Sequence, residues 1–152
     1  MTRVPLAALV IGWLGFLPFL YGAILVLSPA GSWPTFGLVS PDPEGGLRLL
    51  AGFGVAILGF MGGCLWGFAS AAPRVPTAPL LLLSGVPALL AVLAAQPDPA
   101  RSCIWLAFGF AVLQAIDVIF QRLGVAPAYW LSLRLPLTAG VMACLLIGAI
   151  HG

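Results

Sequence analysis

Residues Leu6–Leu27 read LAALVIGWLGFLPFLYGAILVL, 22 residues without a single charge. A bilayer core about 30 Å thick is crossed by about 20 apolar residues of helix, each rising about 1.5 Å. The stretch is long enough to span a membrane. A secretory leader has an apolar region of about 7–15 residues. This one is longer and carries Trp13, Pro18 and Tyr21, which look like packing residues. It therefore reads as a retained span rather than a cleaved signal.

Four further runs share this character. Leu47–Ser70 is charged only at Arg48, in its first turn. Thr77–Ala95 carries no charge. Ser102–Phe120 is charged only at Asp117. Leu135–Ile150 is short for a span, so its helix is expected to begin near Ala128, with Pro127 in a first-turn position. Pro136 then lies inside and should kink it. The expected architecture is an all-α integral membrane protein, a bundle of five transmembrane helices at about 6–27, 47–70, 77–95, 102–120 and 128–150, in one domain covering 1–152. A β-barrel is disfavoured, because the apolar runs are continuous rather than alternating and about twice the length of a barrel strand. The connections AAPRVP (71–76) and QPDPAR (96–101) read as tight turns. The one long link, Ser28–Gly46, places Trp33 and Phe36 where aromatics sit among headgroups and ends in the turn-forming SPDPEGG.

Composition agrees. Of 152 residues, 62% are hydrophobic and 7% charged, against about 25% charged in a soluble domain. A soluble globule, a disordered chain and a nucleic-acid-binding domain are excluded; six arginines cannot cover a phosphate track. One His and four acids leave little material for a soluble enzyme. Cys64, Cys103 and Cys144 all lie in apolar runs without a CxxC pattern, which supports neither disulfides nor zinc and suits buried small hydrophobes. His151 is given no role, and no cofactor or metal is indicated.

The arginines set the orientation. Arg3, Arg74, Arg122 and Arg134 fall on the N-terminal side; Arg48 and Arg101 fall on the other. By the excess of positive charge the N-terminus is expected in the cytoplasm and the C-terminus outside.

Few residues carry chemistry. Gly59, Gly63 and Gly67, spaced by four, share one helix face and are expected to let another helix approach closely, within the chain or in a dimer. The alternative is a groove for a flat cofactor or lipid tail. Asp117 is the one acid inside a span and should face the bundle with a partner. Arg134 is the natural partner; Arg122 is a second, which can snorkel to the headgroups. The pair could be purely structural, or a proton or ligand site; the third alternative is a carboxylate that simply reaches the interface, three residues from the helix end. Gln114 is one turn before Asp117, and Cys64 and Trp66 lie in the last turns of the second helix. Cys64, Trp66, Gln114, Asp117 and Arg134 thus form a candidate polar layer near the cytoplasmic face. Tyr129 and Trp130 read as an interfacial aromatic belt rather than a pocket wall. No nucleophile with a base and no phosphate loop accompanies them.

The segments LGFLPFLYGA (Leu14–Ala23), ILGFMGGCLWG (Ile57–Gly67), LSGVPALLA (Leu83–Ala91) and APAYWLSLRLPLT (Ala126–Thr138) occur in an order that resembles the transmembrane-protein-69-like family of small bacterial and mitochondrial inner-membrane proteins of unknown function. Gly62, Gly63, Trp66, Gly67, Asp117, Arg134 and Thr138 match its pattern. Relatives commonly carry His where this chain has Leu65, so a haem, metal or proton-relay role resting on that His does not carry over. The resemblance implies a bacterial inner (cytoplasmic) membrane and supplies no activity.

The function expected first is a non-enzymatic accessory, assembly or scaffold subunit of a larger membrane complex. A small transporter or channel comes second, and a quinone-, haem- or lipid-binding protein third. The expected partners are the lipid bilayer and other membrane subunits or a second copy, with no nucleic acid.

Overall fold

The computed structural model describes residues 3–35, 37–72 and 77–152. Among the described residues the chain is an all-α bundle of five helices, each long and apolar enough to cross a membrane: α1 (Leu6–Leu27), α2 (Pro43–Ser70), α3 (Thr77–Ala94), α4 (Pro99–Arg122) and α5 (Trp130–His151). Phe36, Arg74 and most of the connection at 71–76 lie outside the described residues.

Two helices start earlier than their apolar runs, for one reason. Asp42 caps α2, its Oδ1 accepting from the Gly45 N–H at 2.7 Å, and Pro43 follows in the first turn. Asp98 caps α4 by accepting from the Ala100 N–H at 3.0 Å, with Pro99 next. Aspartate satisfies a free amide at a helix start, and proline has no amide to satisfy there. The PEGG of SPDPEGG and the PAR of QPDPAR are therefore helix beginnings, not turn. Helix α5 departs the other way. It starts at Trp130, whose N–H donates to the Pro127 carbonyl at 2.9 Å, so Pro127 precedes the helix instead of opening it. The helix runs on through Pro136.

The turn between α4 and α5 positions the site. Gly124 takes φ +68°, a left-handed conformation that glycine adopts without steric penalty. The Val125 N–H reaches back to the Phe120 carbonyl at 2.9 Å and the Gly124 N–H to the Gln121 carbonyl at 3.1 Å. This closes the α4 carbonyls in a Schellman motif and reverses the chain. The start of α5 is thereby laid against the end of α4.

Packing runs α1–α2–α3–α4–α5 and back to α1, with α2 also touching α4 across the middle. Phe19, Leu50, Leu58, Leu106, Phe110 and Leu145 are among the core residues. The outer surface is apolar as well: Leu6, Leu82 and Ile150 are at least 75% exposed. Such a surface suits lipid, since contiguous apolar patches are small on soluble monomers.

Within the chain, close helix approach occurs at glycines off the expected face. A β-carbon on Gly46 would lie 2.7 Å from the Gly22 carbonyl oxygen, and one on Gly62 would lie 3.0 Å from that of Ser84. These two positions let α2 meet α1 and α3 backbone to backbone. Among the described residues nothing packs on Gly59, Gly63 or Gly67: a β-carbon at any of them meets nothing within 4 Å, and Gly63 and Gly67 are exposed. Their stripe is turned outward, while Gly62, about 100° round the helix from Gly63, faces α3.

Candidate functional site

Asp117, near the end of α4, is completely buried. Two donors from the first turns of α5 meet it. The Arg134 Nε lies 3.1 Å from Oδ2, and the Trp130 Nε1 donates to Oδ1 at 2.6 Å. Trp130 and Arg134 are four apart, so they stand one above the other on the helix face. The indole is held from α2 by Phe68, edge to face, with ring centres 4.9 Å apart. Trp130 is thus half-buried against a carboxylate rather than part of a headgroup belt, because its N–H finds a charged acceptor only by turning inward.

The other residues of the expected layer divide. Cys64 is half-buried. Gln114 is partly buried, and neither its amide nitrogen nor its oxygen has a partner among the described residues. Trp66 is 53% exposed on the outer side of α2 and stands apart from the pair. Arg122 stays exposed in the last turn of α4, leaving Asp117 to Arg134. Among the described residues no three His, Cys, Asp or Glu side chains are grouped to hold a metal.

Above the pair lies a cavity of about 220 Å³ between α1, α2, α4 and α5. Phe16, Phe19, Ile57, Met61, Phe110 and Val141 make it apolar. Its polar lining is Arg134 and Thr138, 7% and 3% exposed. Within these two side chains the Arg134 Nη2 and the Thr138 Oγ1 are buried and have no partner among the described residues. Ile11 and Phe60 at the rim are 69% and 66% exposed, so the cavity opens sideways toward the hydrocarbon. Chemically, the arrangement can hold the polar end of an otherwise apolar molecule.

Sequence reasoning missed the cavity and Trp130's hydrogen bond to Asp117. The signal was on α5: Trp130, Arg134, Thr138 and Val141 follow the i, i+4, i+8, i+11 spacing of one helix face. What that face meets depends on α1 lying beside α5, which the spacing does not contain.

Residues 4–150, nearly the whole chain, match the model of a family described as protein of unknown function (DUF3429), and the chain belongs to that family. No curated protein and no solved structure matches it.

Proposed function

We propose that this membrane protein of the DUF3429 family holds a membrane-dissolved, largely apolar molecule in the cavity between α1, α2, α4 and α5. One observation carries this reading: an otherwise apolar cavity is lined by two polar side chains more than nine-tenths buried, Arg134 and Thr138, each holding a buried polar atom that has no partner among the described residues. A buried donor left unpaired costs about 1–3 kcal/mol. A ligand that supplies the missing acceptor offsets that cost. Asp117 fixes Arg134 in place, and Trp130 fixes Asp117. The sideways opening favours a ligand drawn from the bilayer. Apart from Arg134 and Thr138 the lining is apolar, which suits an ion or polar solute poorly and sets a transporter or channel lower. The proposed setting is a bacterial inner membrane, with the N-terminus cytoplasmic and the C-terminus outside.

A second reading is the non-enzymatic accessory, assembly or scaffold subunit of a larger complex. It is favoured by the outward face of α2, where Gly52, Gly59, Gly63 and Gly67 leave a smooth stripe with no neighbour. Small residues in membrane helices allow close approach of a second helix, so the occupant would be a transmembrane helix of the partner subunit. The likeness to the transmembrane-protein-69-like family fits either reading, since Gly63 and Gly67 lie on this stripe and Arg134 and Thr138 in the cavity. The two roles are compatible.

The test is purification of the full chain from its native membrane in mild detergent, with mass spectrometry of everything retained. Gly15 lines the cavity, and a β-carbon there meets nothing within 4 Å, so Gly15→Leu fills the cavity without a clash at its first atom. A small apolar molecule retained by the wild type and lost from Gly15→Leu supports the binding reading. Identical retention by both proteins counts against it. A stoichiometric polypeptide released by Gly63→Leu supports the subunit reading.

A further inference from the structure

We infer that the cavity recognises an uncharged carbonyl group on an apolar body; this deepens the binding reading and rests on it. Asp117 and Arg134 form a pair that sums to zero charge, buried together. Arg134 uses Nε for the pair, and neither its Nη2 nor the hydroxyl of Thr138, one turn further along the same face, has a partner among the described residues. A guanidinium can only donate and a threonine hydroxyl can donate, so the ligand must accept. A carboxylate ligand would accept well, but it would add a negative charge beside Asp117 and leave the buried cluster charged in a medium that stabilises charge poorly. An alcohol or amine would bring a donor of its own into a lining that is otherwise hydrocarbon. A carbonyl oxygen takes both donors, carries no charge and brings no hydrogen to satisfy.

Size and shape agree. Pockets that enclose a whole drug-sized ligand run about 300–1,000 Å³, and this one holds about 220 Å³. It encloses a head and lets a tail pass between Ile11 and Phe60 into the hydrocarbon. Two membrane molecules present this head: a quinone, with ketones on a flat ring, and a glyceride, with ester carbonyls. Phe16, Phe19 and Phe110 flank the space with aromatic rings, which stack well on a flat ring.

The experiment is equilibrium binding to the full chain in detergent, read by native mass spectrometry, with three probes: a ubiquinone with a two-isoprene tail, dioctanoylglycerol and octanoate. Thr138→Val removes only the unpartnered hydroxyl, so it should fold at least as well as the wild type. Expected is binding of one or both neutral probes, weakened about threefold to tenfold by Thr138→Val, as loss of one hydrogen bond implies, with octanoate weaker than either. Preference for the quinone or for the glyceride identifies the source of the carbonyl. Octanoate binding as tightly as the neutral probes overturns the inference, and so does neutral binding indifferent to Thr138→Val; both leave the cavity reading standing. Binding of no probe, together with retention unchanged by Gly15→Leu, overturns the cavity reading itself.

Discussion

Arg134 meets Asp117 side-on: its Nε lies 3.1 Å from Oδ2, and the terminal Nη2 has no partner. An end-on, two-pronged pair would consume both carboxylate oxygens. Here the second oxygen belongs to the Trp130 indole N–H. The carboxylate is satisfied by two residues of α5, and the guanidinium, which lines the cavity, keeps a donor with no partner among the described residues. One contact therefore serves both to dock α5 on α4 and to equip the cavity with a polar end.

Removing one member of the pair strands the other in a buried place. Asp117→Leu and Arg134→Met should each destabilise the chain by about 3–5 kcal/mol, while the double variant, with both charges replaced by apolar groups, should recover most of the loss. Unfolding in mixed micelles, read as a double-mutant cycle, measures this. A double variant as unstable as the sum of the two single ones would mean that the pair contributes no coupling. Asp117→Asn is not a neutral replacement here, since an amide offers one oxygen to two donors.

Trp130→Phe keeps an aromatic ring against Phe68 and removes the N–H that serves Asp117. Hydrogen bonds to charged groups contribute about 1.5–3 kcal/mol, and a loss of that size is expected. In an Asp117→Leu background the same substitution should cost almost nothing, because its acceptor is gone. An equal cost in both backgrounds would assign Trp130 to packing alone.

The five-helix architecture was legible in the sequence because span length is a physical requirement that apolar runs state directly, as Leu6–Leu27 does to the residue. The starts of α2 and α4 were less so: Asp-Pro reads as a turn until Asp42 and Asp98 are seen to cap. Spacing by four placed Gly59, Gly63 and Gly67 on one face, but spacing cannot say what a face meets, and the close contact fell to Gly62. Asp117 and Arg134 could be matched because charge in hydrocarbon must find its opposite at the same depth. Trp130 could not be placed, since a tryptophan at a helix end suits a headgroup belt as well as a buried donor. The cavity needs α1 beside α5, a relation between distant segments.

The two neighbouring glycines of α2 should behave oppositely. Gly62→Leu drives a side chain into the α3 backbone at Ser84 and Ala88 and should unfold or loosen the bundle, as overpacking typically costs about 1–3 kcal/mol and more against backbone. Gly63→Leu enters open space and should leave thermal unfolding of the isolated chain unchanged within about 0.5 kcal/mol. Equal destabilisation by both would place a neighbour on the outer face of α2 even in the isolated chain.

The proposed orientation rests on a narrower margin than a count of arginines suggests. Arg134 is buried in its pair and is no free loop charge. That leaves Arg3, Arg74 and Arg122 on the N-terminal side against Arg48 and Arg101 on the other. The last two stand beside acids, Arg48 with Glu44 at 2.5 Å and Arg101 with Asp98 at 3.5 Å, although acids weigh little in topology. The excess still favours the proposed cytoplasmic N-terminus. Alkaline phosphatase fused after Gly152 should therefore be active, and green fluorescent protein at the same point dark. Because the margin is one charge, replacing Arg74 and Arg122 together by Ala should shift part of the population to the opposite orientation, while Arg48→Ala should not. A fluorescent, phosphatase-negative wild-type fusion would put the Asp117–Arg134 pair in the leaflet opposite to the one proposed, and the cavity with it.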